Sequence, residues 1–296
     1  MNALLALYCK SYRVDLNRVI RLAQSIQRFN TDGLPFYVSV PTGDVPLFRQ
    51  ELGRLATEVI DDDLILEKNR SIDLVAVRAL PGHISQQVIK SEFWRLNFSS
   101  TYLCLDSDAF FIRPFKQADY LLNDGMPYTV LDEGHDFLAE ALSRGKIEAI
   151  NDFYRDTAKV QALFGRQGRA YSFGPFPVLW HRLVWQSLEN EYLRPMGMSL
   201  QDAIVQMPVE SHWYGEALLK YLAIPIMPCQ PLFKVYHYGW QFESDQQMGI
   251  GNEQLAQIYS GVIYQSSWER EMDWPSEGGN KLSRLARRLR RKLGRV

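Results

Sequence analysis

The chain has 296 residues, 46% hydrophobic and 23% charged, a composition of folded globular proteins rather than disordered ones. Its formal net charge of -1 hides an asymmetry: residues 281–296 hold eight of the 33 basic side chains and none of the 34 acidic ones, leaving 25 against 34 before them. No apolar run approaches the ~20 residues of a membrane-spanning helix. Residues 1–15 are apolar only over 3–8 and lack the basic segment and small-residue cleavage site of a signal peptide.

The first 60 residues alternate between two patterns. A short apolar run over 3–8 predicts a buried strand. Leu16, Val19, Ile20, Ala23, Ile26 and Phe29 then follow a helical period, with Asp15 as the expected cap and Asn30 to Gly33 as the stop. Strands are predicted at 35–40 and 57–60, with a helix over 44–56 between them. Such a series calls for a parallel sheet with right-handed crossovers. Residues 61–85 read as loop-rich, 86–96 as helix, and 101–105 as a buried strand running into Asp106-Ser107-Asp108. Further on, 127–131 reads as strand, 136–163 as mainly helix, and the Gly- and Pro-rich 165–177 as a loop or the opening of a second subdomain. Helices are predicted over 178–194 and 211–222, and strands over 223–227 and 233–238. Residues 239–280 read as irregular, with a helical hint around 253–263. Cys9, Cys104 and Cys229 sit among apolar neighbours, the pattern of reduced core thiols in a cytosolic protein, and no C-x-x-C pair occurs.

The densest chemical signal is Asp106-Ser107-Asp108 at the end of an apolar strand. In open α/β sheets ligands bind just outside the carboxyl ends of the strands. Two carboxylates there can hold Mg²⁺ or Mn²⁺ through oxygen ligands, and the ion neutralises charge on a leaving diphosphate. Ser107 between them can hydrogen-bond or simply stay small, and is a candidate cofactor-binding residue. Tyr8, Lys10 and Tyr12 follow the first strand, where a nucleotide-binding sheet meets base and ribose, and Arg18 lies one turn into the next helix, within reach of a phosphate. No G-x-G-x-x-G or P-loop pattern occurs.

Gln86-Gln87-x-x-Lys90, the apolar strand, Leu105 to Asp108 and Phe111 to Phe115, followed by Glu210 to Gly215 and His237-Tyr238-Gly239, resemble bacterial glycosyltransferases of the A-type (GT-A) fold. The resemblance spans residues 1–245. It implies an α/β, Rossmann-like GT-A nucleotide-diphospho-sugar transferase fold with a mixed, mainly parallel central sheet. It implies a nucleotide-binding part over 1–131 and an acceptor-side part over 132–245, with an extension over 246–280 outside it. It also implies a nucleotide-sugar donor, with a UDP-sugar as the first expectation, and a divalent metal held by Asp106, Asp108 and His237. Lys90 would contact the diphosphate or the donor sugar, and the sugar would pass to a hydroxyl of a glycan or lipid-linked glycan. The chain lacks the longer H-x-x-G-x-K pattern of the glycogenin-like group. A sugar nucleotidyltransferase and a non-catalytic membrane-associated scaffold are the alternatives.

An inverting transferase needs a carboxylate base for the acceptor hydroxyl. Glu210 is the first candidate, with Asp132 and Glu133, after the strand at 127–131, next. The aromatic side chains of 175–245, among them Trp180, Trp185, Trp213 and Tyr214, offer a sugar-stacking platform or core packing. Leu282, Leu285, Leu289 and Leu293 recur at helical spacing among the eight cations. That is the pattern of an amphipathic helix lying on an anionic membrane surface. The expectation is a peripheral protein on the inner face of the cytoplasmic membrane, serving lipopolysaccharide or surface-polysaccharide assembly. No nucleic-acid partner is expected, because the body is acidic.

Overall fold

The computed structural model describes residues 3–237 and 239–265. The central sheet has the order β3-β2-β1-β4-β7, formed by β1 (Ala3–Lys10), β2 (Phe36–Val40), β3 (Glu58–Asp61), β4 (Ser99–Leu105) and β7 (Val178–His181). The first four strands are parallel and β7 runs antiparallel to β4. The mixed α/β architecture and mixed, mainly parallel sheet agree with expectation.

Both faces of this sheet are covered, which explains its unbroken apolar runs. Leu5, Leu7 and Cys9 of β1 and Leu103 and Leu105 of β4 join one core cluster with α1 (Leu16–Phe29) and α2 (Val45–Leu52). Ala6, Tyr8, Tyr102 and Cys104 point to the other face. There they meet α5 (Gly82–Glu92), α8 (Arg182–Leu188) and α10 (Glu210–Tyr221). The chain builds outward from β1 to β3, then returns to place β4 on the opposite side of β1. The sheet order therefore reverses between β1 and β4, and their carboxyl ends flank the crevice where such sheets take ligands. Lys10 closes β1, and Asp106 follows β4.

A second sheet, β5-β10-β9, joins β5 (Ala109–Phe111), β9 (Phe233–Tyr236) and β10 (Gly261–Tyr264). Because β5 starts directly after Asp108, this sheet anchors the far end of the Asp106–Asp108 turn. A short parallel pair, β6 (Thr129–Val130) with β8 (Pro228–Cys229), completes the strands described.

Several sequence expectations need correction. Residues 61–85 are less loop-rich than expected: α3 (Asp62–Leu66), α4 (Leu74–Ala79) and the start of α5 lie within them. Asp73 caps α4, accepting from the backbone N–H groups of Val75 and Ala76. Residues 178–181 are strand rather than helix. The helix expected over 136–163 is two, α6 (His135–Ser143) and α7 (Ile147–Leu163), parted where Gly145 takes φ +65°. The expected strand over 223–227 is absent and α9 (Leu200–Gln206) was unforeseen. Residues 239–264 hold α11 (Gly239–Gln247), α12 (Asn252–Leu255) and β10, so they are not irregular. Cys9 and Cys104 are buried, Cys229 is partly buried, and all three are free thiols. The basic tail lies outside the described residues.

Candidate active site

Three polar groupings gather at the carboxyl ends of β1, β3 and β4. The first unites three residues distant in sequence. Lys90, in the last turn of α5, is 3% exposed. Its Nζ donates to Asp106 Oδ1 at 2.6 Å and lies 3.8 Å from Glu210 Oε1. The ammonium also stands 4.6 Å from the centre of the Phe176 ring, a cation–π contact. Tyr102 Oη donates to the Lys90 carbonyl, and Gln87 Oε1 accepts from the Glu210 backbone N–H at 3.2 Å, tying α5 to the start of α10.

The electrostatics follow from burial. Desolvation works against the Lys90 charge, but Asp106 and then Glu210 outweigh it and push the ammonium above its ordinary range, so it stays protonated. Desolvation also raises the Glu210 carboxyl, and the attraction of Lys90 offsets this only in part. Asp106 keeps 25% of its side chain exposed, more than Glu210 at 8% or Lys90 at 4%.

The second grouping fixes the turn. Ser107 Oγ donates to Asp15 Oδ2 at 3.1 Å, while Arg18 Nη1 donates to Asp15 Oδ1. Asp15 was expected to cap α1, but its side chain makes no cap hydrogen bond and is spent on these two partners. The Asp108 carbonyl accepts from the Tyr264 backbone N–H and from Arg21, and the residue is 4% exposed.

The third grouping closes β1. Lys10 Nζ lies 2.9 Å from Asp62 Oδ2, and desolvation raises the Asp62 carboxyl against the pull of Lys10. Ser11 Oγ is buried without a hydrogen-bond partner among the described residues. Tyr12 is 48% exposed beside it. Tyr8 points the other way: it is fully buried, stacked on Phe93 with centroids 3.7 Å apart, and its hydroxyl meets Ser39 Oγ at 2.9 Å.

The remaining candidates lie apart. Asp132 Oδ1 accepts from the Gly134 backbone N–H, and burial raises its carboxyl. Glu133 pairs with Arg169 at 2.7 Å and lies 3.5 Å from His135. His237 packs edge-on against Phe137, and burial lowers its imidazole to about 4, leaving it neutral at pH 7. Among the described residues, no hydrogen bond or ion pair links Asp132, Glu133 or His237 to Lys90, Asp106 or Glu210. Nor do three or more His, Cys, Asp or Glu side chains there form a group able to hold a metal ion, so Asp106, Asp108 and His237 are not assembled as one donor set. Trp180, Trp185, Trp213 and Tyr214 are all buried in the core rather than displayed as a platform.

Sequence reasoning missed Asp15, Asp62 and Phe176 as site residues. The run Asp61-Asp62-Asp63 directly after a strand was a usable signal for Asp62. Phe176 sits in the Gly- and Pro-rich loop, where no periodicity marks it.

This is an α/β protein with a charged site at the switch point of a mainly parallel sheet. The chain belongs to the family of unknown function DUF6492, whose model matches residues 1–205. Among solved structures it is similar to mouse xyloside xylosyltransferase 1 in its apo form. That match has 8% sequence identity and a TM-score of 0.46, and covers 89% of this chain and 98% of that one. A comparison with curated protein sequences finds no match.

Proposed function

We propose that the protein is a glycosyltransferase that moves a sugar from a nucleotide-sugar donor to a hydroxyl of a glycan or glycolipid acceptor. The observation that carries this reading is the convergence of Lys90, Asp106 and Glu210 at the carboxyl edge of β4, beside the β1/β4 switch point. The nucleotide would lie across the end of β1, near Tyr12 and the Ser11 hydroxyl, which has no hydrogen-bond partner among the described residues.

Glu210 is the base in this reading. As the acceptor oxygen bonds to the anomeric carbon, the bond from that carbon to the donor phosphate breaks and the nucleoside diphosphate leaves with the electron pair. The hydroxyl proton passes to Glu210, whose carboxyl burial raises above its ordinary value and so makes a stronger base. Asp106 accepts hydrogen bonds from the donor through its exposed edge. Lys90 is too buried to be a mobile phosphate clamp; it positions both carboxylates and offsets their charge.

The oxygen donors suit a hard cation, but one oxygen of Asp106 already holds Lys90. An ion would therefore arrive with the donor, held by Asp106 and Asp108 and completed by phosphate oxygens and water, as Mg²⁺ commonly is. It would neutralise charge on the departing diphosphate. The basic tail supports an acceptor at an anionic membrane surface and a place in lipopolysaccharide or surface-polysaccharide assembly.

The test incubates the full chain with UDP-, GDP- and ADP-sugars and Mn²⁺, reading nucleoside diphosphate release with and without acceptor glycans. Release with one donor, abolished in Asp106→Asn, is expected. No release with any donor, together with no calorimetric binding of any nucleoside diphosphate, overturns the reading.

A further inference from the structure

The amino edge of the sheet carries features that the proposed transfer does not use. The turn before β4 holds Trp94, Arg95 and Asn97, and Arg182 follows the antiparallel β7, so all four lie at the end opposite Asp106. The seven residues of β4, at about 3.3 Å each, separate the two ends by roughly 20 Å. Two adjoining cavities of about 360 and 340 Å³ open here and share Lys68, Trp94 and Arg95 in their walls.

Their charge is unlike that of the rest of the chain before residue 281. Lys68, Arg70, Arg95, Arg182 and Arg194 line the two cavities against one lining carboxylate, Glu189. The buried Glu92, behind Arg95, adds a second negative charge. The excess is therefore three positive charges on a chain whose first 280 residues carry an excess of acidic ones.

Part of this set is internally satisfied and rigid. Arg95 pairs with Glu92 and Glu189, Arg194 with Glu189, and Arg182 donates to Asn97 Oδ1. Asn69 Nδ2 donates to Glu92 at 2.9 Å, which fixes the loop bearing Lys68 and Arg70 against the pocket wall. Lys68 and Arg70 themselves are exposed and make no ion pair among the described residues. The arrangement is thus a fixed cationic wall whose mouth carries two cations without an ion pair among the described residues.

We propose that this paired cavity binds an acidic saccharide, a short sugar chain bearing carboxylate or phosphate groups, at a site separate from the transfer centre. Each cavity falls in the ~300–1,000 Å³ range of small-ligand sites. Two cavities sharing one wall fit consecutive sugar units. Guanidinium groups meet carboxylate and phosphate oxygens in pairs. The indole of Trp94, held by Arg95 stacked 4.3 Å from its centre, supplies apolar surface for sugar C–H groups. A ligand here would hold an acidic glycan to the protein without entering the reaction.

The test is calorimetric titration of the full chain with trigalacturonate, glucose 1,6-bisphosphate, neutral maltotriose and inorganic pyrophosphate. Binding of trigalacturonate or of the bisphosphate is expected, with no detectable binding of maltotriose. Which of the two binds identifies the anionic group. In Lys68→Glu/Arg70→Glu, two exposed substitutions, affinity should fall at least tenfold, whereas Asp106→Asn should leave it unchanged. Arg182→Gln provides a second variant, with a smaller loss expected. Unchanged affinity in the double variant overturns the site. Equal affinity for pyrophosphate overturns its saccharide character. So does binding to phosphatidylglycerol vesicles that the double variant loses, with no binding of either sugar. Because the readout is binding, failure here is distinguishable from failure of the transfer reading.

Discussion

Lys90 Nζ and Asp106 Oδ1 lie 2.6 Å apart although sixteen residues separate them in sequence. The pair joins the last turn of α5 to the turn beyond β4, and Glu210 brings in α10 at 3.8 Å. Desolvating a lysine is costly, and two carboxylates with an aromatic face compensate it here.

Removing one member of such a group costs more than removing matched members. Lys90→Ala leaves Asp106 and Glu210 facing each other without their cation and should destabilise the fold by about 3–5 kcal/mol. Lys90→Met/Glu210→Gln removes one charge of each sign and should cost distinctly less. Urea unfolding of both variants checks this. Equal losses would mean that the charges do not act as a unit.

Glu210 predicts a pH profile. A base works only when deprotonated, so kcat/KM should rise with pH through the Glu210 pKa. Desolvation, its largest influence, places that pKa above the ordinary glutamate value. The acid limb should therefore lie above the usual carboxylate range. Glu210→Gln should remove the limb and reduce turnover by about 10²–10⁴-fold. A limb that persists in the glutamine variant would reassign the base.

The parallel part of the fold was readable because burial on both faces leaves unbroken apolar strands, each followed by an amphipathic helix. Val178–His181 was not, since a short apolar run leading directly into Arg182–Leu188 cannot be told from helix by periodicity. Gly261–Tyr264 was hidden in the same way, its strand character depending on β5 and β9 from distant sequence. At the site, Asp106, Lys90 and Glu210 stood in recognisable motifs. Their mutual contact, and the ring of Phe176 against the ammonium, arise only from packing. Tyr8 was misleading for a related reason: strand alternation sends its side chain into the core, while its position near the strand end suggested the ligand.

His181 couples stability to pH. Its Nδ1 accepts from the Leu183 backbone N–H and caps α8, which only the neutral ring can do. Burial, reinforced by Arg182, lowers its pKa to about 4 from an ordinary 6.5. The unfolded chain thus takes up this proton first, so the contribution is complete above pH 6.5 and is lost as pH falls towards 4. The loss should reach about 2–3 kcal/mol. His237 is also lowered to about 4 and shares the window. His181→Asn, which keeps a capping acceptor but does not titrate, should flatten the fall in Tm between pH 6.5 and 4 without abolishing it. An unchanged slope would exclude His181 as a contributor.

Gly261 tests how the second sheet supports the site. A Cβ there would overlap the Phe233 ring and stand 2.5 Å from the Phe110 carbonyl oxygen, which is backbone and cannot rotate away. Gly261→Ala should therefore push β10 from β5 and β9, costing about 1–3 kcal/mol as an overpacked substitution does. The consequence reaches Asp108, because β5 begins at Ala109 and the Tyr264 backbone N–H donates to the Asp108 carbonyl. Lys90 and Asp106 belong to α5 and the β4 end and would keep their contact. The expected result is a loss of donor turnover larger than the loss of nucleotide affinity, at a temperature where circular dichroism shows the variant folded. Wild-type turnover in the folded variant would mean that the position of Asp108 does not depend on the second sheet.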